Sequence, residues 1–329
     1  MSRQNGGRRR HDLRSPLAPH IEGLLAEKRA LGFAYETEEL ILERFDAYCV
    51  ERGLDRPQIT RDLLDGWLVR SPTEGAHNHA KRVSVVRQLA LHMASLGLDA
   101  YVPRELPSAG TKLPHILTAK ERSAFFAQVD DAGRYAHTDA QRRLAVEYRV
   151  LFRLIYCCGL RNSEACGLPV GSVDLATGAL TISQSKGRKD RVVHMADDLR
   201  RLVADYLAWL GRRLGSEPEW LFPAKDPTRP LPNTTVDRVF NRFWAATGIE
   251  CSDKPVVHDL RFSFITDRVN LWALEGADVD AMMPYLSRYV GHTSLQSTYY
   301  YIHTSERLRE VIAKYDVTGS SAIPEADYE

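Results

Sequence analysis

Six polar residues in the second part of the chain are of the types that can move a DNA phosphodiester onto a protein hydroxyl without a metal ion. Two arginines can neutralise phosphate oxygens, two histidines and a lysine can transfer protons or donate hydrogen bonds, and a tyrosine can supply the attacking hydroxyl. In chain order they are Arg161, Lys186, His258, Arg261, His292 and Tyr301. They fall at predicted helix ends, turns and a hairpin tip. These positions favour side chains that line a cleft over side chains that pack in a core.

The first arginine and the lysine of this set lie on predicted turns. Arg161 stands in CCGLRNSEACGL, just after Gly159, which ends a strongly apolar helix. A planar guanidinium at this turn can hold two oxygens of one phosphate, and a structural ion pair with Glu164 is the alternative. Lys186 lies in SKGRKD, at the tip between two predicted strands. A lysine there can protonate a leaving oxygen, and a solvated basic tip is the alternative.

The two histidines and the tyrosine come later in the chain. His258 begins the motif HDLR, so His258 and Arg261 share one face if the segment is helical. His292 lies in GHTSLQSTYYYIH and precedes Tyr301 by nine residues, a spacing that favours Tyr301 over the two tyrosines before it. Neither histidine has an HExxH motif or an acidic cluster beside it, so a metal enzyme is disfavoured.

Length and composition indicate a two-domain globular protein. The chain has 329 residues, of which 44% are hydrophobic. Its apolar runs are too short for a membrane span, and its first residues lack the apolar segment of a signal peptide, so we expect no membrane partner. The five cysteines have no CxxC or zinc spacing, which predicts reduced core residues of a cytoplasmic protein.

The overall charge does not by itself indicate a nucleic-acid partner. The formal net charge is +1, whereas DNA-binding proteins usually have a basic excess. Basic residues are nevertheless concentrated in residues 1–15, which we predict to be a disordered basic arm. This arm is either a phosphate-contacting segment or a disordered or cloning-derived tail.

Residues 16–98 are predicted to form a helical domain. Four apolar stripes at helical spacing, with glycines at their ends, indicate four helices. Polar side chains lie mainly off the apolar face of the last helix, where they are either a solvated face or contacts to DNA. The candidates for DNA contact are Lys81, Arg82 and Arg87.

A proline-rich segment without periodicity, residues 99–116, predicts a linker. The second domain is predicted over residues 117–305, with Thr118 as a helix N-cap, an apolar helix from Leu144 to Tyr156, a three-stranded sheet and further helices. Residues 306–329 are predicted as a last helix and tail. The apolar stripe of this helix packs either on its own domain or on a neighbouring protomer.

The motifs of residues 117 to about 315 together resemble the tyrosine recombinase (phage integrase) family, and in particular Xer-like site-specific recombinases. GLRNSEACGL is similar to the first arginine box of that family, SKGRKDRVV to its β-hairpin lysine, and HDLR and the GH with a following tyrosine to its later boxes. The resemblance implies a mainly α fold with a small antiparallel β-sheet. It also implies a helical N-terminal core-binding domain, similar by architecture only, and an α+β catalytic domain.

The resemblance further implies a site-specific recombinase that cuts and rejoins DNA through a 3′-phosphotyrosyl intermediate. In that mechanism Tyr301 attacks the scissile phosphate while both arginines neutralise its oxygens. Lys186 protonates the departing 5′ oxygen, with Lys189 as the fallback. His258 accepts the proton of the tyrosine, and His292 donates a hydrogen bond to the phosphate.

The family also implies partners for the chain. We expect double-stranded DNA with inverted-repeat sites, a homotetramer on two DNA sites, and no cofactor, since the phosphotyrosine conserves the bond energy. Arg188 and Lys189 in the hairpin are further candidates for DNA contact. The alternatives are relaxation of DNA as by a type IB topoisomerase, and a catalytically inactive DNA-binding regulator.

Overall fold

The computed structural model of the protein divides into two compact units, Met1–Lys112 and Leu113–Glu329. It describes residues 12–108, 110, 113–183, 190–216, 218–292, 294 and 298. Helices dominate, and the strands in the described residues are short and antiparallel, so the predicted fold class is confirmed. Among the described residues, no helix combines the length and the apolar character needed to cross a membrane. The domain limits drawn from the sequence stay predictions.

The described residues of the first unit form four helices, as the apolar stripes predict. They are α1 (Ala18–Ala30), α2 (Glu36–Glu51), α3 (Arg61–Leu68) and α4 (Ala76–Ser95). Their apolar faces meet in one core, in which the Phe45 ring lies 5.1 Å from the Trp67 ring in an edge-on arrangement. Asp46 lies in the same region, where its carboxylate accepts hydrogen bonds from the backbone N–H groups of Arg14 and Ser15. This contact anchors the chain just before α1.

In the part of the second unit that the structure describes, helices surround a small sheet. The helices are α5 (Ala119–Asp131), α6 (Asp139–Cys157), α7 (Asn162–Cys166), α8 (Asp197–Leu214), α9 (Asn233–Ala246), α10 (Val257–Leu274) and α11 (Val279–Val290), with 3₁₀ turns at Ala132–Tyr135 and Val170–Ser172. The strands are β1 (Val173–Asp174), β2 (Ala179–Ile182) and β3 (Arg191–His194). They pair antiparallel in the order β1-β2-β3, with Leu180 opposite both Val173 and Val193.

Local sequence signals set the helix starts of this unit. Thr118 accepts a hydrogen bond from the Glu121 backbone, and the Glu121 carboxylate accepts one from the Thr118 N–H, so the predicted N-cap is confirmed as part of a capping box. A second capping box joins Thr138 and Gln141 at the start of α6. The predicted start at Leu144 is therefore too late, because the apolar run begins more than one turn after the polar cap at Thr138.

Gly159 occupies a position that requires glycine on two grounds. Its φ of +60° lies in the left-handed region, and a Cβ added there would lie 2.6 Å from Cδ1 of Phe264. Its carbonyl oxygen also accepts a hydrogen bond from the Arg261 side chain at 2.6 Å. The turn after α6 is thus packed directly against α10.

Glu147 is a charged residue in the interior of α6. Its side chain is 0% exposed, and the Nε of Arg143 lies 3.3 Å from its Oε1. Burial raises the pKa of the Glu147 carboxyl to about 7, although the Arg143 guanidinium acts in the opposite direction. The carboxyl therefore holds a proton more tightly in the folded protein than in the unfolded chain.

Replacing Gly159 by alanine should destabilise the protein. Backbone strain contributes about 1–3 kcal/mol, and overpacking against Phe264 contributes roughly 1–3 kcal/mol. Urea denaturation measures the loss. Gly211→Ala is the matched control, since a Cβ there meets nothing within 4 Å. Equal stability of the two variants would contradict the close packing of this turn.

Replacing Glu147 by glutamine should reduce the dependence of stability on pH. Because the folded-state pKa is raised, the stabilising contribution of Glu147 is complete below about pH 4.5 and is lost as the pH rises towards 7. Within this window the free energy of unfolding should fall by up to about 1.4 kcal/mol per pH unit in the wild type, and by less in the variant. Urea denaturation from pH 5 to pH 8 tests this, with Glu250→Gln at an exposed position as control. If the free energy of unfolding of Glu147→Gln varied with pH as steeply as that of the wild type, a group other than Glu147 would cause the pH dependence.

Candidate active site

Arg161 lies at the N-terminus of α7, where it contacts two separate parts of the second unit. Its Nη1 donates to Oε1 of Glu164 at 2.6 Å, and its backbone N–H donates to the other oxygen of the same carboxylate at 2.8 Å. Its Nη2 donates to the carbonyl oxygen of Gly291 at 2.5 Å. The ion pair considered from the sequence is therefore present, and the same side chain also reaches the end of α11.

Arg261 lies one turn into α10 and is 1% exposed. Its Nη1 donates to the Gly159 carbonyl oxygen at 2.6 Å, and its Nη2 donates to the Val290 carbonyl oxygen at 2.5 Å. This arginine therefore joins the turn after α6 to the end of α11. Its Nη1 also lies 3.9 Å from Oε2 of Glu164.

Arg191, the first residue of β3, approaches the same place from the sheet. Its Nη1 and Nη2 donate to the two oxygens of Glu164 at 2.9 and 2.7 Å, which is a bidentate pair. Its Nε donates to the Tyr289 carbonyl oxygen at 2.8 Å. The side chains of Arg191 and Glu164 are only 7% and 5% exposed.

Three consecutive carbonyl groups at the end of α11 thus each accept a hydrogen bond from a different arginine. The carbonyls belong to Tyr289, Val290 and Gly291, and the donors are Arg191, Arg261 and Arg161, respectively. The last carbonyls of a helix lack intrahelical partners and form the negative end of its dipole. Cationic donors are therefore favoured here, and they hold the backbone that leads into His292.

His292 lies beside these arginines with a second polar contact. Its Nδ1 is 2.8 Å from the hydroxyl oxygen of Thr298, which is fully buried. Burial, followed by the positive charges of Arg261 and Arg161, lowers the pKa of His292 to about 3. The imidazole is therefore neutral near pH 7, with one ring N–H to donate.

His258 lies in the first turn of α10, as the HDLR motif predicts. Its ring is exposed and packs edge-on against Phe262 at 4.5 Å between ring centroids. Repulsion from the protonated form of His258 is among the smaller causes of the lowered pKa of His292. We call Arg161, Arg191 and Arg261 the arginine cluster. The structure brings His258 close to the exposed side of this cluster.

The cluster carries an excess of positive charge. Three guanidinium groups surround the carboxylate of Glu164, and His292 adds no charge at neutral pH. A buried excess of this sign suits an anion such as a phosphodiester. Groups of three or more histidine, cysteine or acidic side chains that could hold a metal ion do not occur among the described residues.

The structure therefore adds two residues to the set predicted from the sequence. From the sequence, Glu164 is expected only as an alternative ion-pair partner of Arg161. The local pattern does not distinguish Arg191 from other charged residues at strand starts, which are common on protein surfaces. The remaining predicted residues lie outside the described part of the chain. They are Lys186, Arg188, Lys189 and Tyr301.

The predicted DNA-contact residues of α4 all have partners within the first unit. Lys81 pairs with Glu38 at 3.1 Å, and the Arg87 Nε donates to the Pro103 carbonyl oxygen at 3.0 Å. Arg82 is the most constrained, because it forms a bidentate pair with Glu74 and stacks over a tryptophan ring. A role in DNA binding stays a prediction for all three, and it would require Arg82 to give up this pair.

A mainly helical fold with a small antiparallel sheet and a buried arginine cluster suits a protein that acts on phosphate esters. Sequence comparison identifies the family. Residues 126–307, more than half of the chain, match the phage integrase family. The protein belongs to that family. The tyrosine recombinase XerD of Pseudomonas aeruginosa strain PAO1 is 29% identical over 312 residues, which cover 91% of this chain and 96% of the relative.

Solved structures show the same fold at lower sequence identity. A XerH site-specific recombinase in a post-cleavage complex with palindromic difH DNA is similar with a TM-score of 0.62 and 21% identity, over 90% of this chain and 83% of that one. A lambda integrase tetramer bound to a Holliday junction is similar with a TM-score of 0.60 and 18% identity, over 91% and 80% of the two chains. At these identities the likeness concerns the fold.

Proposed function

We propose that this protein is a site-specific DNA recombinase that cuts and rejoins DNA through a 3′-phosphotyrosyl intermediate. The observation that carries the proposal is the cluster of three arginines around the end of α11, next to a neutral histidine, in a chain of the phage integrase family. Such a cluster supplies fixed positive charge where a phosphodiester would gain negative charge during attack.

The two arginines predicted from the sequence bind the non-bridging oxygens of the scissile phosphate in this proposal. Contacts with backbone carbonyls already orient the guanidinium groups of Arg161 and Arg261, so little reorganisation is required when DNA binds. His292 donates a hydrogen bond to the same phosphate from its neutral ring. Because its pKa is about 3, this donor state persists over the whole physiological pH range.

The covalent step is a transesterification at phosphorus. The hydroxyl oxygen of Tyr301 forms a bond to the phosphorus and gives its proton to His258, while the bond from phosphorus to the 5′ oxygen breaks. Lys186 supplies the proton that makes this oxygen a hydroxyl. Attack by a 5′ hydroxyl from another strand reverses the same steps, so neither ATP nor a metal ion is part of the proposal.

The proposed partners are double-stranded DNA sites with inverted repeats and further copies of this chain, as a homotetramer on two sites. Support comes from the similar structures, one of which is bound to palindromic DNA while the other is a tetramer on a Holliday junction. Since the substrate is DNA, the proposal places the protein in the cytoplasm. The topoisomerase and inactive-regulator alternatives gain no support from the relatives, which are named as recombinases and integrases.

Replacing Tyr301 by phenylalanine should abolish the covalent protein–DNA adduct, because it removes the attacking oxygen. The substrate is a nicked duplex built on a site that is selected from random DNA by binding to the wild-type protein. A denaturing gel detects the adduct, and a gel shift should show that DNA binding is retained. Tyr300→Phe is the matched control and should form the adduct. The reverse pattern in the two variants would assign the nucleophile to Tyr300.

Replacing Arg161 or Arg261 by lysine should slow cleavage of the same substrate by about 100-fold or more. The single ammonium of a lysine cannot replace the planar guanidinium of arginine, which must bind a backbone carbonyl and the phosphate at the same time. Single-turnover cleavage at saturating protein measures the effect. Arg149→Lys, at an exposed arginine of α6 that pairs with Asp130, is the control. Wild-type rates in both lysine variants would rule out this role for the two arginines.

A further inference from the structure

We propose that Arg191 is a positioning residue of this active site, which neutralises Glu164 and holds the end of α11 so that Arg161 and His292 are placed for the phosphate. This inference rests on the proposed function. It concerns a residue at the start of a strand, which lies within the SKGRKDRVV motif but is not one of the site residues expected from the sequence.

All three guanidinium nitrogens of Arg191 donate hydrogen bonds. Two nitrogens bind both oxygens of Glu164, and the third binds the Tyr289 carbonyl oxygen, all within 2.9 Å. One side chain therefore connects β3, α7 and α11. A lysine has a single nitrogen and cannot reach a carboxylate and a carbonyl in this arrangement. The geometry thus requires arginine and not simply a positive charge.

The charge balance of the cluster depends on Arg191. Glu164 is buried and accepts hydrogen bonds from the Arg161 side chain on one oxygen and from the Arg161 backbone N–H on the other, while the Arg191 guanidinium binds both oxygens. Without Arg191 the buried carboxylate would lose a bidentate cationic partner and would draw more of its compensation from Arg161, which is closer to it than Arg261 at 3.9 Å. Arg161 would then be held by Glu164 and would be less available to a phosphate.

Arg191 also lies against the backbone just before His292. A Cβ added to Gly291 would lie 3.1 Å from Nη1 of Arg191 and 3.2 Å from its Cδ and Cζ. Gly291 has a φ of +69°, and its carbonyl accepts the hydrogen bond from Arg161. The Arg191 side chain therefore borders the residue whose conformation directs both the Arg161 contact and the path of the chain into His292.

The test compares four proteins on the selected nicked duplex, namely the wild type, Arg191→Met, Glu164→Gln and the double variant. Arg191→Met should lower the single-turnover cleavage rate at least tenfold, while the Kd for the DNA site changes less than threefold. The reason is that Arg191 places the catalytic groups within the complex and does not itself bind the DNA. Adding Glu164→Gln to Arg191→Met should restore part of the rate, at least threefold, since the negative charge that has lost its bidentate partner is then removed. If Arg191 had a merely structural role, the decrease in cleavage rate of the double variant would be the product of the decreases in the two single variants.

Arg200→Met is the matched control, because Arg200 likewise binds a carboxylate, that of Asp197, and a backbone carbonyl, that of Ala176, away from the cluster. Its cleavage rate should equal that of the wild type. A wild-type rate in Arg191→Met, or losses that multiply in the double variant, would overturn the inference. If Arg191→Met does not fold, Arg191→Lys takes its place, with the same tenfold loss expected and a wild-type rate overturning the inference.

A second measurement separates this inference from the proposed function. If the wild type forms no covalent adduct, the proposed function fails, and positioning is then read from the ring resonances of His292 in protein labelled with ¹³C-histidine. Arg191→Met should shift these resonances, whereas Arg200→Met should not. Unchanged His292 resonances in Arg191→Met would overturn the inference whatever the outcome with DNA.

Discussion

The end of α11 is the constraint on which the rest of the candidate site depends. A helix end leaves carbonyl groups without intrahelical partners, and here three consecutive ones are bound by arginines from the α7 turn, from β3 and from α10. Because each guanidinium has several N–H donors in one plane, each arginine binds a carbonyl and a second group as well. The backbone that leads into His292 is therefore held by three elements that are distant in the sequence.

The same contacts determine the electrostatics of the site. Glu164 is shared by arginines and offsets part of their charge, so the cluster is stable in the folded protein while a positive excess remains for an anion. Burial and the adjacent arginines keep His292 neutral, which makes it a hydrogen-bond donor and not a second charge that would repel them. Charge balance and backbone position are thus two consequences of one set of hydrogen bonds.

Much of the candidate site could be inferred from local sequence. Arg161, Arg261 and His292 were identified from their motifs, and the structure brings all three to one place. Arg191 was missed because an arginine at the start of a strand has the same local pattern whether it faces solvent or is buried. On the polar face of α4 the local pattern predicts a DNA contact, whereas the structure shows an intramolecular one. Arg82 lies among residues typical of a DNA-binding surface but forms an intramolecular pair with Glu74.

The sequence by itself determined what depends on neighbours within a turn or two. Helix periodicity, the capping box of Thr118 and the antiparallel order of the short strands follow from local hydrogen bonding and from the burial of one face. The tertiary structure alone decided which carbonyl each arginine binds, that Arg261 is buried, and that the pKa of His292 is lowered to about 3. These properties arise between residues such as Arg161 and Gly291, which are 130 positions apart. Such pairs meet only when helices and sheet pack together, and no local pattern contains that information.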